Sequence, residues 1–489
     1  MSGHAYSIDG RTFAFDAPIS EAMPIGAYVR ITTDAGRAYL GQVLETAVAG
    51  TGASATAPVG NPASVTGRGI LLAELDDGDR PRRLDGSAVF GSGTVSEADA
   101  AIVSARLEAA TASTALIELG EIQKVPDAAA VLQAKGFGRH TFLCGQSGSG
   151  KTYTLGIILE RLLLDTDIRV AVIDPNSDFV NIRSLRPQAD TGLDDDAYRE
   201  LATRYKALGS RIAVFGGSDA QDRLRVRFGN LSIEQQTMVV GLDPFDHPEE
   251  YNAFVRTVER LDSDDYGIHE LLQKIGTSFA DDARRLGLRF ENLGVGDLSI
   301  WAGADDPPIG EILPDEWRMA VIDLGSLPSQ REGSIAAAAA LGSFWQQRQT
   351  REPTVIVIDE AHNVCPQHPT GPNQALATEI VVRIAGEGRK FGLYLLLATQ
   401  RPDKVHQGVV SQCDNLILMR MNSATDIETL SDTFSFVPRA LVGLAAGFDL
   451  GEGLAAGRIA PDPLLFRSGR RYTVEGGSDV PSTWARSGG

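Results

Sequence analysis

Eight consecutive residues carry the clearest chemistry in the chain. Gly145-Gln146-Ser147-Gly148-Ser149-Gly150-Lys151-Thr152 fit the spacing GxxxxGK[ST] in full. Glycines at these positions let the backbone curl so that successive N–H groups face phosphate oxygens. Lys151, one of only seven lysines, is then placed to bridge the β- and γ-phosphates, and the Thr152 hydroxyl to hold Mg²⁺. Tyr153 completes the run expected to touch a nucleotide. A loop of this type implies ATP and Mg²⁺ as cofactors.

A second group of residues ends short apolar runs. Thr354–His362 reads TVIVIDEAH: four apolar β-formers deliver Asp359 and Glu360 to a strand end. There Asp359 suits the metal shell, and Glu360 suits a general base that polarises water. Leu393–Pro402, LYLLLATQRP, ends another apolar run at Gln400, whose amide suits sensing a γ-phosphate. Arg389 and Lys390 lie on the turn GEGRKFG. A guanidinium there either reaches a neighbour's γ-phosphate or is simply solvated. Asp174, at the end of IRVAVID, either joins the metal and water network or caps the following turn. His362 either couples nucleotide state to a neighbour or packs. Seven scattered histidines give no metal cluster.

These groups need strands to hold them. HTFLCG and IRVAVID are short buried-type strands with a helical pattern between them, a βαβ unit. The α/β texture returns at 315–445 with RMAVIDLGSL, PTVIVIDEAH, LYLLLATQRP and NLILMRM. Between the halves, 189–314 is acidic and mostly helical and reads as an insertion. There PEEYNAFVRTVERL has a helical apolar face, and Ser232 and Gln235 have capping-box spacing.

Ahead of this core, Ala27–Thr33 and Ala38–Ala47 alternate about a turn at Asp34-Ala35-Gly36. That predicts a hairpin within a small β-barrel or sandwich. Gly50–Gly69, rich in Gly, Ala, Ser, Thr and Pro, reads as a flexible loop. The tail from 446 reads as irregular. The expected fold class is therefore α/β: an N-terminal β-barrel (1–113), a phosphate-loop core in two halves (114–188 and 315–445), the helical insertion (189–314) and a C-terminal arm (446–489).

The 489 residues carry a formal net charge of −19. A surface that coats nucleic acid would be basic, so that class is disfavoured, while a narrow basic channel inside an acidic shell is compatible. Three isolated cysteines, Cys144, Cys365 and Cys413, suit buried core positions rather than disulfides. No apolar run reaches membrane-spanning length, and the N-terminus has no basic-plus-apolar leader pattern. The expectation is a cytoplasmic protein with no membrane partner.

GQSGSGKT, VIDPNSDF, VIVIDEAH, EGRKFGLYLLLATQRP and SQCDNLILMRM, in that order, resemble the HerA family of hexameric, FtsK-like DNA-pumping ATPases. PIGAYVRITTDAGRAYLGQVLE is similar to that family's N-terminal barrel. The resemblance implies a RecA-like core, a homo-hexameric ring and duplex DNA in a central channel. Its implied partner is a NurA-like nuclease or a sirtuin-like effector. By the same resemblance, Lys151 and Thr152 are phosphate and magnesium ligands, Asp359 and Glu360 the acidic motif, Gln400 the sensor and Arg389 an arginine finger acting across the subunit interface. After Asp174-Pro175 the chain departs from the family's D-P-H-G-E, and Asp178 is a weaker candidate than Asp174. Arg183, Arg186, Lys404 and His406 are channel candidates. A conjugation or secretion motor, and a nucleotide-switched scaffold that activates a partner enzyme, are the competing expectations.

Overall fold

The computed structural model describes residues 3–477 except 49–63, 85, 87, 112–113, 217–222, 262–264, 304–305, 310–312 and 314–315. The chain divides into two compact units. One comprises Met1–Phe137, Leu143–Thr154 and Asp414–Arg470; the other comprises Gly138–Phe142, Leu155–Cys413 and Arg471–Gly489.

In the first unit, β1 (Gly3–Ser7), β2 (Thr12–Pro18), β3 (Tyr28–Thr33), β4 (Ala38–Val48), β5 (Ser64–Leu75), β6 (Pro81–Arg82) and β7 (Gly93–Glu97) form one sheet in the order β2-β1-β7-β3-β4-β5-β6. A further β2–β5 pairing closes six of them into a barrel. β3 and β4 are the expected hairpin. Phe13, Phe15, Ile31, Tyr39, Val43 and Val65 fill the interior.

The expected loop Gly50–Gly69 is corrected in part. Residues 49–63 lie outside the described residues, but 64–69 belong to β5. Glycine serves there for close approach rather than for flexibility. A Cβ on Gly69 would stand 2.4 Å from the Phe13 ring, and one on Gly67 2.4 Å from the Phe15 ring.

The same unit holds the end of β10 (His140–Cys144) and then β16 (Cys413–Met419), β17 (Glu452–Gly457), β18 (Leu464–Ser468), β8 (Leu116–Ile122) and β9 (Ala129–Gln133), in that order. From β16 onward all pairings are antiparallel. The tail expected to be irregular from 446 thus contains two strands. The small GLAA of β17 and the three-residue LLF of β18 are too weak a pattern to announce strands, but they are buried between neighbours.

In the second unit the strands run β12 (Ile212–Phe215), β13 (Met319–Asp323), β11 (Arg169–Asp174), β14 (Thr354–Ile358), β15 (Leu393–Thr399) and the start of β10. The pairs from β12 through β15 are parallel. Every residue of β13 and β14 is buried, which is why these strands read as unbroken apolar runs rather than alternating ones. β12 lies inside the stretch read as helical; four residues between helices give too little periodicity to find.

The insertion otherwise supplies the helices Pro248–Val258, Ile268–Gly276 and Asp281–Asn292, and the Ser232–Gln235 capping box is formed. No helix among the described residues is long and apolar enough to cross a membrane.

Candidate active site

The phosphate-type loop follows β10 and opens the helix Lys151–Asp165. Gly148 (φ +72°) and Gly150 (φ +91°) occupy the left-handed region that side chains disfavour. The loop is held mainly from its own unit's backbone. Gln146 N–H donates to Arg420 O (2.9 Å), and Gly451 N–H donates to Ser149 O (3.0 Å). Asn422 N–H donates to the Gln146 side-chain oxygen (3.0 Å), and the Arg420 guanidinium donates to Gly148 O (2.9 Å). The Ser149 hydroxyl is buried with no hydrogen-bond partner among the described residues. Lys151 is buried at the helix start, where the backbone dipole favours an anion.

In the other unit, the carboxyl ends of the parallel strands line up. Asp174 is in register with Asp323, and Ile173 with Ile358, so Asp359 follows beside Asp174. Asp359 is wholly buried and accepts the Glu360 N–H (2.9 Å). Glu360 adopts a left-handed backbone (φ +42°), a strained state for a residue with a side chain. Its carboxylate is bracketed: the Gln400 amide donates to Oε1 (3.3 Å), and His362 Nδ1 stands 3.2 Å from Oε2. The structure therefore brings Glu360, Gln400 and Asp359 together, as the sequence suggests. It adds His362 and Thr399, which spacing alone does not assign.

Asp174 shows the capping half of its two expected roles. Its carboxylate accepts N–H groups from Asn176, Asp178 and Phe179. Burial pushes its pKa up to about 7 despite those donors, and the charges of Asp178 and Asp359 push the same way.

Arg389 is half-buried in the turn before β15, at the opposite end of that seven-residue strand from Gln400. A strand of that length spans roughly 20 Å, more than an arginine can reach. Arg389 and Gln400 of one chain therefore cannot serve one phosphate.

The channel candidates are engaged locally. Arg183 donates to Ile212 O and Arg186 pairs with Glu475 (3.4 Å). Lys404 pairs with Asp403 (3.3 Å), and His406 accepts the Gly408 N–H.

The segment after β18 is also pinned in a way sequence reasoning missed. Glu160, fully buried on the helix Lys151–Asp165, accepts N–H groups from Tyr472 and Thr473 (2.9 and 2.7 Å) and the Thr473 hydroxyl (2.5 Å). Arg471, also fully buried, lies 3.7 Å from Glu160. Gly156 leaves it room, since a Cβ there would stand 2.6 Å from the guanidinium. A lone glutamate in an apolar helix stretch is the one signal that pointed to such a partner.

A family model described as "Helicase HerA, central domain" matches residues 117–339, and one described as "ATPase family associated with various cellular activities (AAA)" matches 316–421. The DNA double-strand break repair helicase HerA of Pyrococcus furiosus is 22% identical over 67% of this chain and 65% of its own length. The chain thus spans a little under two thirds of that relative. A probable DNA double-strand break repair helicase HerA of Methanocaldococcus jannaschii is 29% identical over 70% of this chain and 74% of its own. VirB4 of Thermoanaerobacter pseudethanolicus shares the fold, with a TM-score of 0.51 and 16% identity over 73% of this chain and 96% of its own. In its barrel, its parallel core with a glycine loop and acid-tipped strand, and these matches, the chain is similar to the HerA helicases, whose central-domain model covers residues 117–339 of its 489.

Proposed function

We propose that this chain is a ring-forming motor that hydrolyses ATP to move along duplex DNA. The observation that carries the reading is the pairing, in one sequence, of a left-handed glycine loop leading into Lys151 with a buried strand that ends in Asp359 and a bracketed Glu360. The residues present suit Mg-ATP. Lys151 and the orphaned Ser149 hydroxyl face phosphate chemistry, and the Thr152 hydroxyl and Asp359 carboxylate are the hard oxygen donors Mg²⁺ takes. When bound, the metal would neutralise charge developing on the transferred phosphoryl group. Glu360 takes the proton of the attacking water, and Gln400 orients that water.

Arg389 serves a neighbouring copy, since its own Gln400 is a strand length away. That supports an oligomer with shared sites, for which a hexamer is our reading. The relatives named as DNA repair helicases support duplex DNA as the track. We read the motor as acting with a separate nuclease or sirtuin-like effector, in DNA end processing or phage defence, in the cytoplasm.

The test is ATP turnover with and without duplex DNA. Stimulation by DNA, lost in Lys151→Ala with the fold intact, is the expected result. Turnover indifferent to DNA would favour a nucleotide-switched scaffold, and turnover retained in Lys151→Ala would remove the site assignment.

A further inference from the structure

We propose that His362 is a positioning residue for Glu360, an inference that rests on the reading of Glu360 as the general base. Glu360 and His362 are nearly enclosed, their side chains 7% and 12% exposed. His362 lies on the short helix Ala361–Val364, which starts immediately after the left-handed turn at Glu360. Asn363 N–H donates to Glu360 O at 2.7 Å, closing that turn.

The turn sends the Glu360 side chain back toward the ends of β14 and β15, where His362 Nδ1 lies 3.2 Å from Oε2 and 3.0 Å from the Thr399 hydroxyl. Thr399 is fully buried, and its hydroxyl accepts the Arg401 N–H (3.0 Å). A carboxylate can only accept, so its contact with Nδ1 fixes the imidazole proton on that nitrogen. The Thr399 hydroxyl oxygen faces the same nitrogen, so the one Nδ1 hydrogen lies between it and Oε2.

Glu360 thereby has a neighbour at each oxygen: the Gln400 amide donates to Oε1, and His362 Nδ1, itself against the Thr399 hydroxyl, stands at ion-pair distance from Oε2. A glutamate has several rotatable bonds, and a base displaced by about 1 Å loses on the order of a hundred-fold in rate. Two-point holding removes that freedom before substrate arrives. The strain at φ +42° is the local cost of pointing the carboxylate at both holders. His362 itself need not touch substrate; it acts through Glu360.

The experiment uses the full chain with duplex DNA and compares wild type, His362→Ala, His362→Asn, Thr399→Val, Glu360→Gln and the double variant His362→Ala/Glu360→Gln. The readouts are kcat, KM, the dissociation constant for a non-hydrolysable ATP analogue and the thermal midpoint.

His362→Ala is expected to lower kcat roughly ten- to a hundred-fold with KM, analogue binding and midpoint unchanged. His362→Asn, whose amide N–H replaces Nδ1–H, restores most of the loss, and Thr399→Val falls between. In the Glu360→Gln background the histidine change has no further effect, because it acts through the missing carboxylate.

If Glu360→Gln collapses turnover while His362→Ala stays within two-fold of wild type, the inference fails and the site reading stands. If Glu360→Gln turns over normally, the site reading itself fails. If the Ala and Asn variants lose activity equally, together with midpoint or binding, His362 only packs and the inference is overturned.

Discussion

The glycine loop and the acid end of β14 are built in opposite ways. Backbone atoms shape the loop: left-handed glycines, a Gln146 N–H that donates to Arg420 O, and loop carbonyls that accept from Gly451 N–H and the Arg420 guanidinium. The end of β14 is built from side chains, with Glu360 held by Gln400 and His362, and His362 by Thr399. A backbone device needs only the right residue types at fixed local spacing. A side-chain device needs partners that the fold brings in from another strand. The first should govern whether nucleotide binds and the second whether it turns over.

The largest effect that would sharpen this contrast lies outside both regions. Arg389→Ala should lower turnover by on the order of a thousand-fold or more while sparing analogue binding, and mixing it with Lys151→Ala subunits should restore part of the activity. Absence of rescue in mixed rings would break the reading of a shared site.

Gly150→Ala attacks the loop's backbone. A left-handed alanine costs about 1–2 kcal/mol, and its Cβ would stand 3.2 Å from Gly451 N. Analogue affinity should fall by roughly ten-fold or more by titration, with any remaining bound nucleotide turned over normally. Arg420→Met removes one donor to Gly148 O and should weaken binding by about 1 kcal/mol, again with little change in kcat.

The smallest effect concerns strain at the acid end. Glu360→Gly should be more stable than Glu360→Ala by about 1 kcal/mol in urea unfolding, because glycine accepts φ +42° without penalty. Equal stability of the two would mean the turn is not strained.

The same contrast explains what the sequence made legible. Gly145–Thr152 and the Asp359-Glu360 pair are local patterns, and the structure places each at a strand end. The β3–β4 hairpin and the core strands were legible because alternation and unbroken apolar runs report one-sided and two-sided burial. Residues 64–69 were misread because glycine marks close approach as well as loops, and only the positions of Phe13 and Phe15 distinguish the two. β17 escaped because its small residues carry little hydropathy signal, and β18 because its apolar run is only three residues long.

At the site, Thr399 and Gln400 lie 37 and 40 residues from the groups they hold, a distance that spacing cannot resolve. Asp174 was open between two roles because both use a carboxylate at a strand end. The three N–H groups that converge on it show the cap. Glu160 and Thr473, 313 residues apart, meet only through the fold.

The most direct test of the division of labour is Glu360→Gln, measured for analogue binding and for DNA-stimulated turnover on the same preparation. The expected result is unchanged affinity with turnover reduced by roughly a hundred-fold or more. Turnover within a few-fold of wild type, or affinity that collapses with it, would contradict the account.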